Sequence, residues 1–123
     1  MEKSPGEIID RLSIVKLKIE RFGNPESQKE FTVLCEAADE FKERGIRIED
    51  EWINKLYEIN KEEWDLLDAM NVERKKDNCD LAKIGELYLE TEKVNKKRAM
   101  MINMIVEKTG QGFKEIKKNH PSE

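Results

Sequence analysis

Ser4-Pro5-Gly6-Glu7-Ile8-Ile9-Asp10-Arg11-Leu12-Ser13-Ile14-Val15-Lys16-Leu17-Lys18-Ile19-Glu20-Arg21-Phe22-Gly23-Asn24-Pro25 is the stretch that decides the fold. It opens with a capping box: Ser4 is the N-cap, Pro5 takes the first helical position, and Glu7 stands where it can reach back. Ile8, Leu12, Val15, Ile19 and Phe22 then recur at spacings of four and three, a coiled-coil-like stripe. Ile9, Ile14 and Leu17 widen that stripe, which predicts that this helix touches more than one neighbour. Gly23-Asn24-Pro25 stops it, and Pro25 is placed to start the next helix.

The same grammar repeats downstream. Phe31, Leu34, Ala38 and Phe41 keep the three-four spacing, Ala37 and Ala38 permit a close helix approach, and Gly45 ends the segment. A third helix is expected from Glu49 to Met70, its first turn enriched in acid by Glu49, Asp50 and Glu51, as the helix dipole favours. Its seam is Ile53, Tyr57, Asn60, Trp64 and Leu67, with Trp52, Leu56 and Ile59 beside it. Arg74 to Asn78 reads as a polar loop. The fourth helix is expected from Asp80 to Lys108, with the seam Leu81, Ile84, Tyr88, Thr91, Asn95, Arg98, Ile102 and Ile105, and Gly110 just past its end. Phe113 to Lys118 adds a short last turn in this reading. No repeat, low-complexity segment or strand-like alternation interrupts the pattern. The expected fold is all-α: an antiparallel bundle of about four helices with coiled-coil-like seams, in one domain over residues 1–118 with a frayed tail over 119–123.

Composition agrees and narrows the function classes. The chain has 123 residues, 37% hydrophobic and 41% charged, which suits helices with one apolar stripe and a wide solvated face. No apolar run approaches a membrane span. Met1-Glu2-Lys3-Ser4-Pro5 has no apolar core of a secretory signal, so a cytoplasmic location is expected. Cys35 and Cys79 have neither CxxC nor metal-ligand spacing and read as free thiols. His120, the single histidine, lies in a polar tail, which argues against a Ser-His or Cys-His dyad. Net charge is −4, but unevenly spread: residues 92–118 carry +5 and the remainder −9. That asymmetry suits head-to-tail self-association or an anion, and equally a solvated basic face near a helix C-terminus. A nucleic-acid role would rest only on Lys93, Lys96, Lys97, Lys114, Lys117 and Lys118 with no aromatic platform.

Two seams carry polar residues where apolar ones are expected. Asn60 lies between Tyr57 and Trp64, and Thr91, Asn95 and Arg98 fill the middle of the fourth seam. With the third and fourth helices antiparallel and the turn centred near residue 75, Asn60 falls opposite a position near 90. Asn60, Thr91 and Asn95 would then share a layer, with Arg98 beyond it. The functional reading is a pocket for a small anionic or polar ligand, because arginine matches carboxylate or phosphate in a bidentate way. The structural reading is a buried network that sets register and pairs Arg98 with Asp10, Glu20 or Asp68.

Ser4-Pro5-Gly6-Glu7-Ile8-Ile9-Asp10-Arg11-Leu12-Ser13-Ile14, followed by Lys16 and by Lys18-Ile19-Glu20-Arg21, resembles the N-terminal signature of a small bacterial helical family described only as a domain of unknown function. Ile59-Asn60 with Trp64 and Asp68, and Tyr88 with Asn95 and Arg98, resemble its later blocks, while Asn103 departs from the expected spacing and residues 24–50 are unmatched. The resemblance implies a helical protein sometimes encoded near polysaccharide or glycosyltransferase genes. It implies no activity, and it singles out Asp10, Arg11, Asn60, Asn95 and Arg98, to which the seam adds Thr91.

An enzymatic alternative rests on Glu40-x-x-Glu43 followed by Glu62-x-x-Asp65, which resembles the carboxylate pattern of all-α nucleotide pyrophosphohydrolases of the MazG type. Those four carboxylates would gather Mg²⁺ on a nucleotide phosphate. Gly45 turns the chain just after Glu43, so Glu62 should fall on the order of 18 Å from Glu43's cross-helix partner, unless a dimer brings the motifs together. Thr109-Gly110-Gln111-Gly112 follows a helix and lacks the ending of a phosphate loop. The expectation from sequence is a non-enzymatic bundle without cofactor. It would act through protein–protein contact or a small anionic ligand, and as a homodimer, because the third and fourth helices outrun the first two.

Overall fold

Capping chemistry sets the element boundaries in the computed structural model, which describes residues 3–111. Among the described residues there are four helices: α1 (Pro5–Phe22), α2 (Pro25–Glu43), α3 (Asp50–Arg74) and α4 (Leu81–Thr109). Ser4 Oγ accepts the Glu7 N–H at 3.3 Å. Gly23 closes α1 in the left-handed region (φ 62°), its N–H donating to the Ile19 carbonyl at 2.9 Å. Asn24 Oδ1 at once accepts the Ser27 N–H at 2.7 Å and starts α2, so three residues serve as stop and start with no loop between. Asp80 caps α4 by accepting from the Ala82 and Lys83 N–H groups at 3.0 and 3.2 Å. Gly110 (φ 68°) ends it. The tail over 119–123, the turn from Phe113 to Lys118, His120 and Gly112 lie outside the described residues.

The architecture is the all-α bundle that the sequence predicts. α1 is its axis and packs against all three other helices, α3 packs along α4, and α2 lies against α1 without a comparable backbone approach to α3 or α4. This explains the breadth of α1's apolar surface: Ile8, Ile9, Leu12, Val15 and Leu17 are all buried. They share one cluster with Leu34, Ala38 and Phe41 of α2, Trp52 and Leu56 of α3, and Ile102 and Ile105 of α4, Leu17 alone lying outside it. Gly6 lies close to α4 at this end. A Cβ on Gly6 would stand 3.4 Å from Ile102 Cγ2.

Two expectations about α3 and α4 change. α3 continues to Arg74 rather than Met70, because its last turn is held by charge instead of an apolar stripe. The buried Glu73 carboxylate accepts the Asp80 N–H at 3.0 Å and the Lys76 ammonium at 3.1 Å, tying the end of one helix to the start of the next. The centre of the turn therefore moves from residue 75 to about residue 78, and Asn60 falls level with about residue 95. The second change concerns the seams. On α4 the buried positions are Thr91, Val94, Met101, Ile102, Ile105 and Val106, whereas Leu81, Tyr88 and Asn95 are exposed. The inner face of α4 is shifted from the expected seam: Val94 and Met101 join Thr91, Ile102 and Ile105 on it, Asn95 leaves it, and Leu81 lies on the stretch of α4 that α1 does not reach. On α3 the same shift puts Trp52 and Leu56 in the core and leaves Ile53 and Tyr57 at its margin.

The bundle is uneven in length. α1 and α2 have 18 and 19 residues, α3 and α4 have 25 and 29. α1 ends level with Trp64 to Asp68 of α3: the Phe22 and Trp64 rings are 5.8 Å apart, and Arg21 meets Asp65 at 2.6 Å. From that level on α3 and α4 continue as a two-helix arm on which Val72, Leu81, Tyr88 and Leu89 are exposed. No described helix is long and apolar enough to cross a membrane.

Candidate functional site

The polar layer lies at the middle of α1, just past Leu56 of α3 and Met101 of α4, where the buried cluster on those two helices ends. α1 brings Asp10 and, one turn on, Ser13. α3 brings Asn60, and α4 brings Arg98. Arg98 Nε and Nη2 donate to the two Asp10 carboxylate oxygens at 3.0 and 2.5 Å. Asn60 Nδ2 donates to Asp10 Oδ1 at 3.0 Å and to Ser13 Oγ at 2.8 Å. The Ser13 hydroxyl donates to the Asp10 backbone carbonyl at 2.6 Å. Asp10 is nearly buried, with 10% of its side chain exposed, and Arg98 keeps 33% exposed. A carboxylate out of water is tolerable because a guanidinium fork and an amide satisfy its oxygens.

Three of the six singled-out residues, Asp10, Asn60 and Arg98, therefore converge. The other three go elsewhere. Arg11 faces α2, where its Nε and Nη2 donate to Glu30 at 2.6 and 3.0 Å. That bond holds the Glu30 carboxyl below its ordinary value and raises the Arg11 guanidinium. Thr91 is buried, but its hydroxyl donates to the Leu87 carbonyl of its own helix at 2.9 Å. Asn95 points to solvent. With Val94 and Arg98 facing inward, Asn95, one residue and about 100° further round the helix than Val94, is carried out of the seam.

Two members of the layer escape sequence reasoning. Ser13 sits among apolar neighbours on α1, three residues after Asp10, and that spacing was the available signal. Glu63 follows Asn60 by three and looks like one more surface acid in an acidic helix. Its Oε2 is instead fully buried with no hydrogen-bond partner. Burial pushes the Glu63 carboxyl above its ordinary value of 4.5, Arg98 nearby opposes the shift, and the Asp10 charge adds to it. Glu63 and Asn60 line a groove of about 360 Å³ that opens beside the layer, with Ile14, Leu17, Trp64 and Leu67 as its apolar wall.

The four carboxylates of the metal alternative are not assembled. Glu40 and Glu43 lie on α2 and Glu62 and Asp65 on α3, helices whose backbones make no close approach. Asp65 meets Arg21 at 2.6 Å and Glu62 meets Lys97 at 3.7 Å. Among the described residues no three His, Cys, Asp or Glu side chains gather as a metal-ligand group. In the layer itself Arg98 serves as a structural partner: Asp10 takes the Nε–Nη2 edge of its guanidinium. No family model matches this chain, and neither a curated protein nor a solved structure gives a match.

Proposed function

We propose that the protein is a non-enzymatic helical interaction module that works as a homodimer joined through the arm of α3 and α4. The observation that carries this reading is the uncovered apolar surface of that arm: Leu81 is 75% and Tyr88 55% exposed, and Leu89 stands beside them. A two-helix hairpin leaves one flank of each helix bare, and the economical way to cover it is a second hairpin, which completes a four-helix arrangement.

A second copy of the chain suits this surface better than an unrelated partner. Leu81, Gly85, Tyr88, Glu92 and Lys96 follow one another along one flank of α4 at spacings of three and four, with Leu89 next to Tyr88 on its edge. An antiparallel copy with its two-fold axis between residues 88 and 89 sets Tyr88 over Leu89 and the Lys96 stem over Leu81. Gly85, beside which a Cβ would meet nothing within 4 Å, leaves room for the closest approach. The interface is isologous, as two-fold dimers require. The resemblance to a family with no assigned activity fits a binding role. The dispersed Glu40, Glu43, Glu62 and Asp65 give the Mg²⁺-dependent pyrophosphohydrolase reading no support.

Sedimentation velocity tests the proposal. The wild-type chain should sediment as a dimer at micromolar concentration. A Leu81→Glu/Tyr88→Glu variant should sediment as a monomer with unchanged helical circular dichroism, because both side chains are already solvent-facing in the single chain. A wild-type chain that stays monomeric up to millimolar concentration refutes it.

A further inference from the structure

The groove beside the polar layer contains an acid that the fold leaves unmatched. Glu63 Oε2 is buried and accepts no hydrogen bond, and such orphaned acceptors are few in folded chains. Arg98 is close enough to influence it, but the Nε and Nη2 groups of that guanidinium are both directed at Asp10. The second acid on the groove, Asp68, is a loose partner of Arg21 at 3.6 Å, because Arg21 holds Asp65 at 2.6 Å. Ile14, Leu17 and Leu67 give the groove apolar sides, and its volume of about 360 Å³ falls in the size class of small-molecule sites.

We infer that this groove binds a small organic cation, an ammonium or guanidinium group carried on a short apolar chain, with Glu63 as its counter-ion. The charged head supplies the donor that the Glu63 carboxylate lacks, and the chain covers Leu67 and Ile14. The terminal torsion of a glutamate is soft, so a donor entering the groove can draw the buried oxygen toward it. An anion meets the opposite situation. It faces Glu63 and Asp68 at the wall and Asp10 behind it, and the Nε and Nη2 groups of Arg98 are already given to Asp10. The groove thus reverses the sign of the ligand that Arg98 suggests in the sequence. Binding tightens as pH rises through the Glu63 titration, with Arg98 from α4, Asp10 and Arg21 from α1, and Asp68 on the same helix as the charges around it.

Isothermal titration of the full chain with agmatine and with phenethylamine tests this, alongside sodium phosphate and phenethyl alcohol as anionic and neutral probes. Both cations should bind, and neither control should. Glu63→Gln, which keeps the shape of the side chain, should weaken the cations by about tenfold or more, the scale of losing one charged hydrogen bond. Nα-acetyl-arginine amide forms a further arm. Tighter binding of this probe than of agmatine identifies the natural occupant as an arginine side chain of another protein, and the reverse identifies a free amine. Phosphate binding in preference to the cations, no cation binding at all, or equal cation affinity in wild type and Glu63→Gln overturns the inference.

Discussion

Replacing Asp10 by alanine should be the most informative single change in the molecule. It removes the acceptor of three hydrogen bonds, from Arg98 Nε at 3.0 Å, Arg98 Nη2 at 2.5 Å and Asn60 Nδ2 at 3.0 Å. The bond from Asn60 to Ser13 Oγ and that from Ser13 to the residue 10 carbonyl survive. Removing one partner of a buried ion pair costs about 3–5 kcal/mol, mostly because the other charge is left unpaired. Arg98 is one-third exposed, so its head can turn to water and recover part of that loss. The remaining penalty is about 2–3 kcal/mol, the upper part of the range for charged hydrogen bonds. At roughly 3–6 °C per kcal/mol for a chain of this length, the melting temperature should fall by about 10 °C. Urea unfolding at neutral pH measures the free energy directly. Arg98→Met should restore stability when combined with Asp10→Leu, since a well-packed apolar pair can replace a buried ion pair at little cost. A change within about 0.5 kcal/mol for Asp10→Ala, the range of an ordinary surface substitution, or strictly additive effects in the Asp10/Arg98 cycle, would refute the view that these groups form one coupled layer.

Glu63 predicts a pH effect of unusual sign for an acid. Its folded-state pKa is raised by burial, so the folded chain holds the proton longer than the unfolded chain does. Stability is unpenalised below the unfolded value, falls as pH rises through the interval up to the raised value, and stays reduced above it. Glu63→Gln should therefore raise the urea midpoint at pH 7 and leave it unchanged in acid below the ordinary carboxylate range; an equal gain at both pH values would contradict this. The N-terminus of α3 offers a separate test. Its N-cap residue, Glu49, makes no side-chain cap hydrogen bond, so Glu49→Ser should add about 0.5–1 kcal/mol. Thermal melts should show the gain, and a loss would mean that the exposed Arg47–Glu49 ion pair outweighs the cap.

Local chemistry was legible in the sequence wherever it acts within a few residues. Ser4, Gly23-Asn24-Pro25, Asp80 and Gly110 bound helices as expected, because caps and left-handed glycines depend only on adjacent backbone. The breadth of α1's stripe announced a helix with several neighbours for the same reason. The end of α3 was missed because Glu73 acts through Asp80, Lys76 and Lys83, partners that belong to the turn and the next helix.

What the sequence determined by itself is the helical class, the number of helices, the start of each one, and the presence of Asp10, Asn60 and Arg98 at positions where polar side chains were out of place. Only the tertiary structure decided which of the polar residues meet. Which flank of α4 is covered depends on where α1 lies, so the seam is buried at Ile105 and Thr91 but not at Asn95 or Leu81, and a four-residue change in the end of α3 slides the facing register by a turn. The same packing put Asp10 in the fork of Arg98 and left Glu63 buried without a partner. Pairing over separations of 50 and 88 residues is a property of three helices crossing at one height, and no spacing along a single helix encodes it.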